Sequence, residues 1–208
     1  MRIFKPQYSK LLDEELMVML GKGDKRAFDE VYKRYSQPLF GYFMKLLARD
    51  NEKCEDMVHD LFAKIIRKPE YFDTSRSFRT WVYSVASNMC KNEYKRMAVR
   101  KNVKPDLEPA EFLKSNEDTL KTVHEKGFSD RLQAQLEEMD EKHKSVFVLR
   151  HFDGFSMKEI AETLQINEGT VKSRLFYATK ALASALKEFN PIYPVSYTHL
   201  TLPTILLV

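Results

Sequence analysis

The sequence of 208 residues has little of what would take it out of the class of helical globular proteins. There are only two cysteines, Cys54 and Cys90, far apart and each inside a helical pattern, which excludes a disulfide framework and fits buried thiols in a reducing cytosol. The five histidines, at 59, 124, 143, 151 and 199, lack the paired spacing of a metal site, so neither metal nor cofactor is expected. With 6 glycines and 8 prolines the chain is neither collagen-like nor of low complexity, and no strand-rich stretch stands out. The opening MRIFKPQYSK lacks the apolar core of a secretory signal. No stretch reaches the about 20 apolar residues of a membrane helix. The expectation is a cytoplasmic chain that is not itself a membrane protein.

What remains is a helical composition. Hydrophobic residues at 43% exclude wholesale disorder, and charged residues at 31% with sustained 3.6-residue periodicity predict an all-α fold. The length suits two small domains, each able to bury a core. A net charge of +4 is modest, so any binding of nucleic acid must rest on where the cations lie.

The segment Ser156 to Phe176, SMKEIAETLQINEGTVKSRLF, has the spacing of a helix-turn-helix. Ile160, Ala161 and Leu164 share the buried face of a first helix, and Val171 and Leu175 repeat the spacing on a second. Between them Ile166 plugs the turn and Asn167 is placed to cap the second helix. Gln165 stands where many such turns have glycine, at a cost of about 1 kcal/mol if held at positive φ. Thr170, Lys172, Ser173 and Arg174 stay outside, where they can reach major-groove base edges and phosphates, with Tyr177 and Lys180 as backbone contacts. Any helical hairpin can show the apolar repeat; the cap, the small crossing residue and the two cations favour DNA.

Elsewhere Leu12 to Met97 predicts four or five amphipathic helices, broken near 21–24, at Gln37-Pro38, around Asp50-Asn51 and between Pro69 and Ser77. Val103 to Arg131, with Pro105, Pro109 and many acidic residues, predicts a linker with at most a short helix. The second domain begins near Leu132, and Ala178 to Phe189 extends the last helix. The domains are therefore 1–102, a flexible linker over 103–130, and 131–190. Residues 191–208 are apolar, β-branched and uncharged, and Val195 to Leu200 back-translates into something resembling a transposon-end sequencing adaptor. A non-native tail is expected there.

Two further surfaces carry chemistry. Asp56 and Asp60 stand at i, i+4 on one helix beside Leu61 and Phe62, which by itself reads as a solvated acidic face. No nucleophile or metal ligand converges on these carboxylates, so catalysis is not expected. The 76–104 stretch mixes Phe78, Trp81, Tyr83 and Tyr94 with Arg76, Arg79, Lys91, Lys95, Arg96, Arg100, Lys101 and Lys104. Such a mixture suits single-stranded DNA, since cations follow phosphates and aromatics stack on bases. Phe78, Trp81 and Val85 share a stripe, so Trp81 is assigned to the core.

With both halves in view, the chain resembles the extracytoplasmic-function group of bacterial RNA polymerase sigma factors. AFDEVYKRYSQPLFGYFMKLL, CEDMVHDLFAKII and SFRTWVYSVASNMCKNEYKR follow the order of the family's second region, and SVFVLRHFDGFSMKEIAETL followed by NEGTVKSRLFYATKAL looks like its fourth. Gln165 for the common turn glycine and His59 for a frequent glutamine are mild departures. The resemblance implies a polymerase specificity subunit with no catalytic site, no cofactor and no small-molecule substrate. Its expected partners are core RNA polymerase, promoter DNA and, as in many members, an anti-sigma factor. Asp56, Asp60, Leu61 and Phe62 would dock on core polymerase. Arg76, Arg79, Asn88, Lys91, Lys95 and Arg96, with the loop at 68–77, would hold the opened minus-ten element. Thr170, Lys172, Ser173, Arg174 and Tyr177 would read the minus-thirty-five element, and the linker would pass near the polymerase active-site and RNA-exit channels. A conventional transcription factor would share the helix-turn-helix without needing the first domain, and a nucleic-acid-processing enzyme would need metal carboxylates or a nucleophile.

Overall fold

The computed structural model describes residues 7–47, 50–103 and 123–186. All regular structure among them is helical: α1 (Asp13–Gly21), α2 (Lys25–Leu46), α3 (Asn51–Arg67), α4 (Phe78–Val103), α5 (Val123–Glu138), α6 (Glu141–His151), α7 (Met157–Leu164) and α8 (Glu168–Ala185), with short 3-10 turns at Tyr8–Lys10 and Pro69–Tyr71. Two compact units result, principally α1 to α4 and α5 to α8.

In the first unit α2 is the central helix. Ala27, Val31, Tyr35, Leu39, Tyr42 and Leu46 recur at helical spacing and are buried, and α2 packs on α3 and α4, with Tyr35 edge-on to Phe78 and Tyr42 edge-on to Tyr83. Asp24 starts α2, its carboxylate accepting from the amides of Arg26 and Ala27 at 2.9 and 3.4 Å. Asp50 does the same for α3 through Lys53 at 3.0 Å. Gly23, at φ +88°, makes the reversal between α1 and α2.

The break expected at Gln37-Pro38 does not occur, because Pro38 lies inside α2. The apolar stripe runs unbroken from Tyr35 to Leu39, and Pro38 sits on the exposed face. Burial of the stripe thus outweighs the roughly 3 kcal/mol that an interior proline costs. Both cysteines are free and buried as expected, and burial, with the Asp50 charge added, pushes the Cys54 thiol up to about 12.

In the second unit Leu136, Phe147, Ala178, Leu182 and Leu186 form one buried cluster, with Leu132, Met139 and Leu175 packed against it. Helix α5 starts at Val123, inside the stretch expected to be linker. Docking of Leu132 and Leu136 supports the helix, which propagates toward its N-terminus because each added turn needs no new nucleus. The rest of the expected linker, 104–122, lies outside the described residues, as do the tail at 191–208 and the extension of α8 from 187 to 189.

Candidate nucleic-acid interface

The helix-turn-helix is assembled from local chemistry. Ser156 and Glu159 form a reciprocal cap at the start of α7: the Ser156 amide donates to Glu159 Oε2 at 2.8 Å and the Glu159 amide to Ser156 Oγ at 3.2 Å. Ile160, Ala161, Leu164 and Val171 are buried, while Ile166 and Leu175 are half-buried. Gln165 is held at φ +56°, the strained turn conformation expected of it, and Asn167 Oδ1 accepts from the Thr170 amide at 2.7 Å and its hydroxyl at 2.9 Å.

This cap fixes the face that α8 presents. Lys172 and Ser173 are exposed and Thr170 and Arg174 half-exposed, so the four residues expected to read DNA emerge together on the first two turns. Ser173 turns its hydroxyl back to the Thr170 carbonyl at 3.0 Å, which leaves the cations as the longest-reaching groups. Tyr177, 58% exposed, stands edge-on to Phe176 and His143, at the flank of this face.

Helix α4 is held by distant partners. Its first amide, Phe78 N, donates to Glu14 Oε1 of α1 at 2.8 Å, and the Tyr94 hydroxyl donates to the last-turn carbonyl of Leu46 in α2. From the first tie to just past the second, Trp81, Ser84, Asn88, Lys91 and Lys95 follow one helical stripe. Asn88 and Lys95 are exposed and Lys91 is half-buried, its ammonium donating to Asn88 Oδ1 at 3.4 Å. Arg96 emerges beside the stripe with a side chain 68% exposed, and Arg100 is exposed further on. Trp81 is half-buried against Phe72 and Phe78, at the boundary of core and surface. Arg76 is exposed in the preceding loop and pairs loosely with Asp73 at 3.6 Å, whereas Arg79 is half-buried on the first turn of α4. In the same loop the Lys68 ammonium donates to the hydroxyl of exposed Tyr71 at 2.6 Å.

On α3, Asp56 and Asp60 are exposed with His59 between them. Leu61 and Phe62, grouped with them by adjacency, are core residues at 0% and 2% exposure, and Phe62 packs its ring on Phe28 and Tyr32. Each residue turns about 100° around a helix, so Leu61 falls to the side of Asp60 and Phe62 nearly opposite it, both turned toward the core. They pack inside the first unit and do not stand on the exposed face with Asp56 and Asp60. Two residues that sequence reasoning missed are Glu93 and Lys53, an ion pair between α4 and α3 at 3.4 Å. No periodic signal marks them, because their pairing is set by tertiary packing.

Among the described residues no group of three or more His, Cys, Asp or Glu side chains is disposed to hold a metal ion, and no helix is long and apolar enough to cross a membrane.

Comparison with known proteins places both units. Residues 31–100 match Sigma-70 region 2, and residues 129–182 match Sigma-70, region 4. The chain is 29% identical over 185 residues to the RNA polymerase sigma-H factor of Pseudomonas aeruginosa, covering 84% of this chain and 94% of that protein. It is 30% identical over 161 residues to the ECF RNA polymerase sigma factor SigL of Mycobacterium tuberculosis, covering 77% and 89% respectively. To the ECF RNA polymerase sigma-E factor of Escherichia coli it is 28% identical over 183 residues, covering 83% and 93%. Its fold is similar to that of CnrH, solved in complex with the cytosolic domain of CnrY, with a TM-score of 0.65 at 21% identity, covering 85% of this chain and 97% of that one. The sigma factor RpoE of Bartonella quintana, solved with the anti-sigma factor NepR, gives a TM-score of 0.60 at 21% identity, with 77% and 96% covered.

Proposed function

We propose, from the premise that this chain belongs to the extracytoplasmic-function group of bacterial RNA polymerase sigma factors, a division of labour among its helices. As a member it binds core RNA polymerase and directs promoter-specific initiation of transcription. Helix α8 reads the minus-thirty-five element in the major groove through Thr170, Lys172, Ser173 and Arg174, with Tyr177 and Lys180 against the flanking backbone. Helix α4 and the loop before it hold the opened minus-ten strand: Asn88, Lys91, Lys95 and Arg96 follow its backbone and base edges, and Arg76 and Arg79 flank the loop. Unpairing costs a few kcal/mol, which phosphate contacts and capture of an extruded base offset. The exposed carboxylates of Asp56 and Asp60 dock on core polymerase.

The observation that carries this reading is the pairing, on one chain, of a capped recognition helix with a second helix whose outer end, 95–100, is exposed and rich in cations. A conventional repressor or activator needs only the first. The domain division 1–102, 103–130 and 131–190 is proposed with α5 moved into the second unit. The chain acts in the cytoplasm as a subunit without catalysis of its own, and an anti-sigma factor is its regulatory partner, as NepR is for its fold neighbour.

Run-off transcription with bacterial core RNA polymerase tests this on a pool of promoter fragments. Specific starts should appear only when the chain is added. Arg174→Ala should abolish dependence on the upstream element, and an Asp56→Ala, Asp60→Ala double variant should weaken assembly with core while leaving the fold intact. Tight promoter binding without core, and no core binding, would make the chain a conventional transcription factor.

A further inference from the structure

The outer half of α4 carries an acid where only cations are useful to DNA. Glu93 has a side chain 8% exposed, in a stretch where 95–100 are all exposed. A buried carboxylate is tolerated only when paired. Both partners reach the same oxygen: Lys53 Nζ of α3 lies 3.4 Å and Arg96 Nη1 of α4 3.3 Å from Glu93 Oε2. Two cations on one anion leave a positive charge uncompensated, and it faces solvent, because the Lys53 and Arg96 side chains are 34% and 68% exposed.

A closed structural pair looks different. Arg34, in the same unit, directs Nε to Glu30, Nη1 to Asp13 and the Leu11 carbonyl, and Nη2 to the Tyr8 carbonyl, all at 3.0 Å or less. Arg96 gives Glu93 one long contact and keeps most of its five N–H donors for another acceptor. The mounting is rigid on both sides. Asp50 caps the Lys53 amide at 3.0 Å, and the Tyr94 hydroxyl ties the residue after Glu93 to the Leu46 carbonyl.

We propose that Lys53 and Arg96, yoked by buried Glu93, form a fork that grips one phosphate of the promoter DNA backbone. Two donors from different helices, drawn toward a single oxygen, suit the two unesterified oxygens of a phosphodiester. Glu93 is the positioning residue, and Lys53 extends the DNA-binding surface from α4 onto α3. The fork rests on the assignment of α4 to DNA.

The test measures affinity of the holoenzyme for a fluorescent forked promoter fragment across a salt series. Lys53→Ala should weaken binding and flatten the plot of log affinity against log salt by about 0.7 to 0.9, the value of one phosphate contact. Arg96→Ala should do the same, the double variant should flatten it little further because one phosphate is shared, and Lys53→Arg should restore the slope. Glu93→Gln should weaken binding although it makes the chain more positive, where Coulomb attraction alone predicts tightening. Lys95→Ala serves as the independent probe of α4, and thermal melts establish that each variant is folded. An altered slope for Lys95→Ala with none for Lys53→Ala overturns the fork and leaves α4 on DNA. An unchanged slope for Lys95→Ala, Arg96→Ala and Lys53→Ala alike overturns both.

Discussion

At the start of α8 the capping side chain, Asn167, lies three residues before the amide it satisfies; at the start of α4 the acceptor, Glu14, lies 64 residues away on another helix. The difference runs through both helices. Helix α8 is set by short-range devices, namely the strained Gln165, the Asn167 cap and the reciprocal Ser156 and Glu159 cap of α7. Helix α4 has one long local contact, Ser77 Oγ accepting from the Thr80 amide at 3.4 Å, and adds long-range ones: Glu14 at its first amide, Lys53 on Glu93, and the Leu46 carbonyl on Tyr94. The helix assigned to duplex DNA thus begins from its own local caps, with its later turns packed on α5 and α6, whereas the helix assigned to opened DNA takes alignment at both ends from α1, α2 and α3. Anything that loosens the first unit should therefore reach its DNA face, while the second unit should respond mainly to changes near its turn.

The largest expected effect loosens α1, the helix that supplies the Glu14 acceptor to α4. Arg34→Met deletes four hydrogen bonds, three of which hold the N-terminal segment and α1 against α2 while the fourth, to Glu30, lies within α2, at a cost of about 3 kcal/mol. Trp81 is the single tryptophan and lies in the first unit, so its fluorescence isolates that unit in a denaturant titration. Its midpoint should fall while the helical signal of the second unit keeps its own. Equal movement of both transitions would show that the units do not unfold separately.

The next expectation is one of sign. His151, stacked on Phe147 at 4.5 Å, has a buried Nε2 with no hydrogen-bond partner, and burial, with the Arg150 charge added, holds its pKa below the usual histidine value. As pH falls through about 6.5 the unfolded chain takes up a proton that the folded chain resists, so the second unit loses stability on acidification between pH 7 and 5. In the first unit Asp24 works in the same direction but in a lower pH window. The Tyr8 hydroxyl and two backbone amides lower its pKa, so its contribution persists through that window and is lost only as pH falls below the ordinary carboxylate range. Denaturation at pH 7 and 5 should separate the two units, and His151→Phe should abolish the separation.

Asn167→Ala tests the local device directly. Loss of the cap should cost about 1 kcal/mol in the second unit and leave the Trp81 transition unmoved. Use of the upstream element should fall with it, since the Thr170 to Arg174 face depends on where α8 begins.

The same contrast explains what the sequence disclosed. Ile160, Leu164, Val171 and Asn167 are legible because a 3.6-residue period and a cap are written in adjacent residues, and the helix-turn-helix appears where expected. Pro38 was misleading: the rule that proline breaks a helix is local, and the stripe that overrides it spans Ala27 to Leu46. Leu61 and Phe62 were grouped with Asp60 by adjacency, although azimuth puts them in the core. Glu93 reads in sequence as one more charge on a polar helix, and only the approach of α3 makes it a buried yoke. Local order was visible, and borrowed order was not.

The smallest expected effect decides how far the turn of the second unit is optimised. Gln165 at φ +56° carries the penalty of a side chain in the left-handed region, about 1 kcal/mol or more. Gln165→Gly removes that penalty but adds backbone freedom to the unfolded chain, worth roughly 0.5 to 1 kcal/mol. The two terms nearly cancel, so a net gain of about 0.5 kcal/mol is expected in the second unit, with promoter selection unchanged because Gln165 lies outside the Thr170 to Arg174 face. A loss of stability instead would mean that the glutamine side chain makes interactions that outweigh its strain. The turn would then have to be counted among the long-range devices, and the contrast with α4 would narrow.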